Sequence, residues 1–467
     1  MNDSSTPLSF RGGTAGALAP FGLFLVGVAW LGQSGAPDER GFWPILVAAL
    51  FASLLLARDR QAWSETVIGG MSRPLVMIMV MAWMLAGVLG AMMGASGFVE
   101  ALVWVAETVG VSGAGYAVAA FLICCLVSTS TGTSLGTVIL CSPLLYPAGG
   151  ALGTDPAILM GAILGGATFG DNISPVSDTT IASALTQEAD MRGVVRSRMR
   201  YALPAAGCAL VLYALLGGAE ATMNAPRAEG FANASPEGLP MLLAPVVVIG
   251  LLLRRHHLLH GLLVGIAVAI LVGLGFGLLA PSDLMRIEVE SFGAKGLLVS
   301  GIEKSLGVSV FTLLLMGLVG TIEAAGVVDR LVAGAGRRAR STAAAERWIF
   351  ATVSGAAFLT THSTVAILTA GGFARQLGER FQLSPYRRAN LLDTTVCSWP
   401  HIIPWFIPAI LTASTTTAGE EFGMPRLSAL QVGLANIHSW CLLAIMLAAV
   451  LFGYGRETSS AENPASS

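Results

Sequence analysis

The sequence predicts an all-α polytopic membrane protein, and three observations carry that prediction. Hydrophobic residues make up 54% of the 467 positions and charged residues 12%, and mean hydropathy is +0.73; soluble domains are about a quarter charged. Apolar runs long enough to cross a bilayer recur along almost the whole chain. One run is interrupted by carboxylates, hydroxyl side chains and a proline, which hydrocarbon tolerates only inside protein or around a polar cavity.

The apolar runs divide into about ten spanning segments, and both termini are predicted to be cytoplasmic. The assignment follows Lys and Arg, which favour cytoplasmic loops. It places the arginine-rich stretch 192–200, including Arg198, in such a loop. A polar leader, 1–14, precedes the first span, and the polar tail 456–467 is predicted to be disordered. The predicted spans are 15–33, 41–57, 74–94, 157–188, 199–217, 239–253, 258–280, 298–325, 389–411 and 429–452.

Two further apolar stretches, 111–150 and 347–388, are each long enough for two passes. Each turns at a cluster of hydroxyl residues, 128–134 in the first and 360–364 in the second. Full spanning would place these turns in water. We expect re-entrant hairpins instead, whose tips cap facing helix ends near the membrane midplane and leave oxygen atoms for a ligand.

The two halves of the chain share one order of features. Gly-Phe-Val-Glu-Ala-Leu-Val at 97–103 matches Gly-Val-Val-Asp-Arg-Leu-Val at 326–332, and the Asp-Thr-Thr at 178–180 recurs at 393–395. Five spans per half require the second half to be inverted, as in many secondary transporters. The predicted organisation is a first inverted repeat at 15–222 with a broken helix at 157–188, an external linker at 223–238, and a second repeat at 239–455 with a broken helix at 389–411.

The first broken helix concentrates groups that can bind a cation. Asp171 and Asp178 flank Pro175 in an otherwise apolar run, and ionisable groups at that depth mark ion or substrate pathways. Burial favours the protonated carboxyl, so a carboxylate that holds a proton and a cation in turn makes their exchange obligatory. We predict that sodium and protons compete at Asp171 and Asp178. Neither broken segment contains a Lys, which favours ion coupling over a static salt bridge.

Other oxygen-bearing side chains on the breaks and hairpin tips complete the predicted site. Half-helix N-termini facing the same cavity would suit an anion, so cation and carboxylate substrates both stay open. His362, at the second tip, is a candidate pH sensor, although a capping role is simpler. The predicted ion- or substrate-binding residues besides the two carboxylates are Asn172, Ser174, Ser177, Thr179, Thr180, Ser130, Thr131, Thr133, Ser134, Ser363, Thr364, Asp393, Thr394 and Thr395.

Composition and motifs argue against other functional classes. A net charge of −2 without a basic stripe disfavours nucleic-acid binding. The six cysteines fall in apolar segments without C-x-x-C spacing, so neither a zinc site nor a disulfide framework is indicated. Neither H-E-x-x-H nor G-x-S-x-G occurs, which disfavours an intramembrane hydrolase, and the chain is not expected to be an enzyme.

The pattern Gly-Ala-x-Phe-Gly-Asp-x-x-Ser-Pro-x-Ser-Asp-Thr-Thr at 166–180 resembles a signature of NhaC-type sodium/proton antiporters, within the ion-transporter superfamily. Segments 130–134, 195–198 and 201–204 are also similar to that family. The resemblance implies a homodimeric secondary transporter in the lipid of a bacterial inner membrane, exchanging Na⁺ for H⁺ without a cofactor. Relatives exchange malate and lactate with the same ions, so a sodium- or proton-coupled carrier of a small organic acid or amino acid is the alternative.

Overall fold

The computed structural model describes residues 8–33, 39–175, 177–218, 234–254, 256–288, 293–328, 330 and 339–457. The first half of the predicted leader, most of the external linker and most of the tail lie outside these ranges, as do residues 329, 331 and 332 of the segment 326–332. The described residues are predominantly helical, and the protein is an all-α polytopic membrane protein as predicted.

Most helices fall on the predicted apolar runs, but the helix Arg60–Met71 lies between two predicted spans, and the helix Met191–Leu216 begins before its predicted start at 199. In the first half they are α1 (Gly13–Gln33), α2 (Phe42–Leu56), α3 (Arg60–Met71), α4 (Pro74–Ala95), α5 (Phe98–Val109), α6 (Ala114–Thr131), α7 (Ser134–Leu145), α8 (Pro156–Ile173), α9 (Asp178–Thr186) and α10 (Met191–Leu216). The second half contains α11 (Leu243–Leu253), α12 (Leu258–Gly275), α13 (Pro281–Leu284), α14 (Leu297–Ala324), α15 (Thr342–Thr360), α16 (Ser363–Arg380), α17 (Pro385–Val396), α18 (Ile407–Thr415), α19 (Ala429–Ala435) and α20 (Ile437–Phe452). Two short strands, β1 (Arg286–Glu288) and β2 (Gly293–Lys295), pair antiparallel and were not predicted.

Six of the described helices are long and apolar enough to cross a membrane, and the bent pair α19–α20 could add a seventh crossing. That pair bends by 59° at Asn436, where the sequence suggested one straight span at 429–452. Helix α7 has 12 residues, about 18 Å at 1.5 Å per residue. It is too short to cross roughly 30 Å of hydrocarbon by itself. The count of ten spans stays a prediction.

The two hairpins, α6–α7 and α15–α16, turn with matching backbone geometry. Gly132 ends α6 with φ 71°, and Thr361 ends α15 with φ 52°, both in the left-handed region. The next residues are extended and precede the second helix: Thr133 has φ −144° and ψ 121°, and His362 has φ −136° and ψ 122°. Glycine adopts a positive φ readily, whereas a β-branched threonine rarely does.

Both predicted helix breaks are present. Helix α8 ends at Ile173 and α9 begins at Asp178, on either side of Pro175. In the second half, α17 begins at Pro385 and not at 389, because proline suits the first helical position and Ser384 caps it by accepting from the Arg387 backbone N–H (3.2 Å). A 3₁₀ turn, Trp399–His401, separates α17 from α18.

Close packing of α8 against α6 positions the first break. A Cβ atom at Gly170 would lie 2.3 Å from the backbone nitrogen of Thr129, and one at Gly166 would lie 2.4 Å from the Phe121 carbonyl oxygen. Glycine at both positions therefore lets the two backbones approach, as small residues do in membrane helix pairs. Across this contact the Ser128 hydroxyl donates to the Ala167 carbonyl (2.5 Å). Elsewhere α14 packs against α2, α3 and α4.

Candidate functional site

A cavity of about 300 Å³ lies where the two hairpin tips meet the two helix breaks. Packing of α8 on α6, and of α9 on α16 and α17, brings these distant segments together. Met79 of α4 also contributes to the wall. The remaining lining residues lie at 132–135 in the first tip, 361–364 in the second tip, Asp171, Asp178 and Thr179 in the first break, and 400, 401 and 406–408 in the second.

Asp171, in the last turn of α8, joins the first hairpin tip to the break. Its side chain is only 6% exposed. Oδ2 accepts a hydrogen bond from the Ser134 hydroxyl (2.6 Å), and Oδ1 accepts one from the Ser177 hydroxyl (2.6 Å). The Thr179 hydroxyl lies 2.9 Å from that of Ser177. Neutral donors thus surround this carboxylate and leave its charge uncompensated.

Asp178, the first residue of α9, joins the break to the second hairpin tip. Oδ2 accepts from the Thr364 hydroxyl (2.5 Å), and Oδ1 accepts from the Thr179 backbone N–H (2.9 Å). Asp178 is exposed and lines the cavity. Within the described part of the chain, neither Asp171 nor Asp178 forms an ion pair with a Lys or Arg.

Asp393 carries the same Asp-Thr-Thr sequence in a very different environment. Arg198 of α10 forms an ion pair with it, and both side chains are fully buried. Arg198 also donates from Nη1 to the Thr180 hydroxyl (2.8 Å) and to the Asn172 carbonyl (2.6 Å). The guanidinium therefore neutralises Asp393 and fixes the end of α8. Placing Arg198 in a cytoplasmic loop was wrong, since its side chain lies in the core.

The cavity brings together only part of the predicted residue set. The predicted residues that line it are Thr133, Ser134, Asp171, Asp178, Thr179, His362, Ser363 and Thr364. Ser177 lies behind Asp171 as its hydrogen-bond donor. The predicted residues that do not line it are Ser130, Thr131, Asn172, Ser174, Thr180, Asp393, Thr394 and Thr395.

Several of these outlying residues make hydrogen bonds within their own helix. The Ser130 hydroxyl donates to the Leu126 carbonyl (2.7 Å), as the Thr395 hydroxyl does to Leu391 (2.5 Å). Ser174 ends α8 and donates its backbone N–H to the Gly170 carbonyl (2.8 Å). The side-chain polar atoms of Thr131, Asn172 and Thr394 have no hydrogen-bond partner among the residues described.

Thr361, His401 and Arg198 are polar residues at or beside the site that were not in the predicted set. Thr361 stands at the tip position that Gly132 occupies in the first hairpin, so comparing the two tips could have singled it out. His401 follows Pro400 in the second break and lines the cavity. No sequence pattern separates Arg198 from the neighbouring arginines, because only the rotation of α10 turns it inward.

The chain matches a known family over most of its length. The sequence model of the Na⁺/H⁺ antiporter family matches residues 22–218 and 237–451. Both hairpins and both helix breaks fall inside the matched regions.

Three curated relatives are similar to the chain. The Na⁺/H⁺ antiporter NhaC of Alkalihalophilus pseudofirmus is 26% identical over 393 residues, which cover 80% of this chain and 83% of that protein. The arginine/ornithine antiporter ArcD of Halobacterium salinarum is 26% identical over 351 residues, covering 70% of each. The malate-2H⁺/Na⁺-lactate antiporter of Bacillus subtilis is 34% identical over 102 residues, covering 22% of each. Each name describes a transporter.

Proposed function

Because this chain belongs to the Na⁺/H⁺ antiporter family, we propose that it exchanges sodium ions for protons across a membrane by competition of the two ions for Asp171 and Asp178. One observation carries the mechanism. The two carboxylates line the same cavity, and no Lys or Arg in the described ranges pairs with either. Their charge is therefore available to an incoming cation.

The side chains around Asp171 suit a small hard cation. The Ser134 and Ser177 hydroxyls both donate hydrogen bonds to the Asp171 carboxylate. A hydroxyl hydrogen can rotate away, so the same oxygens can accept an ion when one arrives. With Thr179 and backbone carbonyls freed at the break, they supply the oxygen ligands that broken helices offer to Na⁺.

Electrostatics couples the two ions. Two carboxylates in a site of low dielectric repel one another, and an unpaired buried charge is costly. Either a proton or a sodium ion relieves that cost, but one carboxylate oxygen cannot hold both. Loading sodium on one side therefore expels protons, and loading protons on the other side expels sodium, without any cofactor.

We further propose that α6–α7 and α15–α16 are re-entrant hairpins of two inverted repeats, 15–222 and 239–455. The matching dihedral angles at the two tips and the short length of α7 support this proposal. A site at the interface of two such repeats suits alternating access. Location in a bacterial plasma membrane, cytoplasmic termini, about ten spans and a homodimer remain predictions.

A second candidate function is a sodium- or proton-coupled carrier of a small organic acid or amino acid. The cavity volume of about 300 Å³ favours it, because that space would hold on the order of ten water molecules. A bare sodium ion needs far less room.

The proposed function can be tested with purified protein in sealed liposomes that contain a pH-sensitive dye and only chloride as the anion. A proton gradient is imposed, and sodium chloride is then added outside. We expect sodium to dissipate the gradient rapidly in the wild type, and to have no effect on Asp171→Asn or Asp178→Asn.

Glu303→Gln provides the matched control, because Glu303 is an exposed carboxylate of α14 outside the cavity. It should exchange like the wild type. Undiminished sodium-driven exchange in both aspartate variants would disprove the competition mechanism, and no response of the wild type to sodium would disprove the function.

A further inference from the structure

We propose that a second cavity, between α4 and α14 on one side and α7 and α18 on the other, is the closed outer end of the ion pathway, and that the ion pair of Lys304 with Glu421 closes its mouth. We call it the outer cavity, and the cavity at Asp171 and Asp178 the site cavity. The turn Thr416–Phe422, which follows α18, completes its wall. The inference rests on the proposed function, because it extends the path of the transported ions beyond their binding site.

The two cavities follow one another along three helices. Each of α4, α7 and α18 supplies residues to both. The residues that line first the site cavity and then the outer cavity are Met79 and Trp83 on α4, Leu135 and Ile139 on α7, and Pro408 and Leu411 on α18. The members of each pair are about one helical turn apart, which is roughly 5 Å along the axis. The outer cavity therefore continues the site cavity along the same helices.

The outer cavity lies toward the end of α4 that is predicted to be external. The residues before α4 include Arg58, Arg60 and Arg73, and arginines favour the cytoplasmic side. Along α4 the site cavity is lined nearer to that end, at Met79, whereas the outer cavity is lined between positions 83 and 94. A path that leads from the site cavity along these helices to the external face passes through the outer cavity.

Apolar side chains form the inner end of the outer cavity. Trp83, Ile139 and Leu411 line it and are each at most 3% exposed. An apolar constriction stops ions by excluding water. The outer cavity has a volume of about 60 Å³, which is room for about two water molecules. A hydrated sodium ion needs more space, so the pathway is closed here.

The outer end of the same cavity is polar. Lys304 Nζ lies 3.0 Å from Glu421 Oε1, and the two side chains are 33% and 67% exposed. Thr417 is partly exposed, and its hydroxyl donates to the Ser414 carbonyl (3.0 Å), so its oxygen can still accept a hydrogen bond from water. Charged groups are costly against lipid tails. This lining therefore suits an aqueous entrance and not a groove for lipid.

The ion pair joins the two walls of the outer cavity. Lys304 belongs to α14, which is packed tightly on α4, since a Cβ atom at Gly87 would collide with the Gly301 carbonyl oxygen. Glu421 belongs to the turn after α18, on the opposite wall. An exposed ion pair contributes little to stability. This contact can therefore break when the walls separate, without loss of the fold.

The two walls also meet through small residues of α4. A Cβ atom at Gly90 would lie 3.0 Å from the Pro143 Cβ of α7, and one at Gly94 would lie 3.6 Å from the Phe422 ring. Ala91, between them, lines the cavity and is partly exposed. Such flat contacts can part without freeing interlocked side chains, as movement of one helix bundle against another requires.

The reactivity of introduced cysteines tests the outer cavity. The purified full chain in detergent is treated with a cationic methanethiosulfonate reagent, and the modified fraction is followed by mass spectrometry. Ala91→Cys places a thiol in the cavity, whereas Ala95→Cys places one at the exposed end of the same helix, outside it. All six native cysteines are in the described part of the chain, and none lines the outer cavity; the wild type gives their background.

We expect Ala91→Cys to react at least ten-fold more slowly than Ala95→Cys. Glu421→Gln should accelerate the reaction at position 91 by about two- to five-fold, the range that the loss of a weak ion pair predicts, and leave position 95 unchanged. Glu303→Gln is the matched control, because it neutralises an exposed glutamate of α14 outside the cavity. It should change neither rate.

The modified proteins are then compared in the liposome assay. A label at position 91 fills the outer cavity, so sodium-driven exchange should fall at least ten-fold and return when a reducing agent removes the label. The recovery would show that the protein stayed folded. A label at position 95 should leave exchange unchanged.

Three results would overturn the proposal: position 91 reacts as fast as position 95, Glu421→Gln does not accelerate it, or labelled Ala91→Cys still exchanges sodium. A thiol at position 91 that stays unreactive with and without the ion pair would identify a sealed packing gap. The reaction rates do not depend on transport. A wild type that fails to exchange sodium, with the expected rates at position 91, would remove only the proposed function, whereas a wild type that exchanges, with position 91 insensitive to Glu421→Gln, would remove only the outer pathway.

Discussion

The two helix breaks share an Asp-Thr-Thr sequence and have opposite electrostatics. At the first break, Asp171 and Asp178 face a cavity and accept bonds from neutral donors. At the second, Asp393 is fully buried in an ion pair with Arg198. A motif repeated in two halves of one chain therefore does not have one role. The role of the motif depends on whether a neighbouring helix places a positive charge beside its aspartate.

This difference separates stability from function. A buried ion pair is stable as long as both partners remain, and removing one leaves a charge in a low-dielectric interior. The carboxylates of the first break have no such partner among the described residues, so the buried charge of Asp171 is destabilising and both carboxylates are free to bind ions. We interpret the second break as the rigid counterpart of the first.

The two helices that follow the breaks also differ in the charge at their N-termini. Helix α9 begins with a carboxylate, whereas α18 begins with apolar residues beside His401 and Thr361. One side of the cavity is thus negative and the other is a positive helix end.

The largest loss of stability is expected when Arg198, the ion-pair partner of Asp393, is replaced. Arg198→Met leaves Asp393 buried and unpaired, which should lower the free energy of unfolding by about 3–5 kcal/mol. Chemical denaturation in detergent would measure the loss. The double variant Arg198→Met/Asp393→Leu should recover most of it, and a stable single variant would show that the pair does not hold the fold.

At the first break we expect a smaller change in stability, and of opposite sign to that of Arg198→Met. Asp171→Asn keeps hydrogen-bonding capacity and removes an unpaired buried charge, so its unfolding midpoint without sodium should equal or exceed that of the wild type. Sodium at a hundred times its dissociation constant should stabilise the wild type by about 2.7 kcal/mol and this variant not at all. Protons compete for the site, so more sodium is needed as pH falls. A midpoint well below wild type would contradict the comparison.

The smallest effect distinguishes a hydroxyl at the cavity from one behind it. Thr133 lines the cavity, whereas Thr394 does not. Thr133→Ala should raise the sodium concentration for half-maximal exchange by roughly two- to ten-fold, as the loss of one hydrogen-bonding group predicts. Thr394→Ala should leave that concentration unchanged. Equal effects of the two substitutions would mean that the cavity boundary is misplaced.

Most of the helices, both breaks and the two hairpin turns could be predicted from local sequence, because apolar length, proline and hydroxyl clusters act on the chain near their own positions. The antiparallel pair of strands β1 and β2 and the bend at Asn436 could not. Short strands and a single bend in an apolar run have no periodicity of their own to distinguish them.

What the sequence by itself determined is a polytopic membrane protein with two carboxylates at a broken helix, since hydropathy and the cost of burying charge depend on composition along the chain. Only the tertiary structure decided which carboxylates stay free. Arg198 and Asp393 are far apart in the chain, and their pairing depends on how α10 is rotated against α17. The same packing joins four helix ends around one cavity. Charge compensation acts through space, so it could be found only once these helices were packed together.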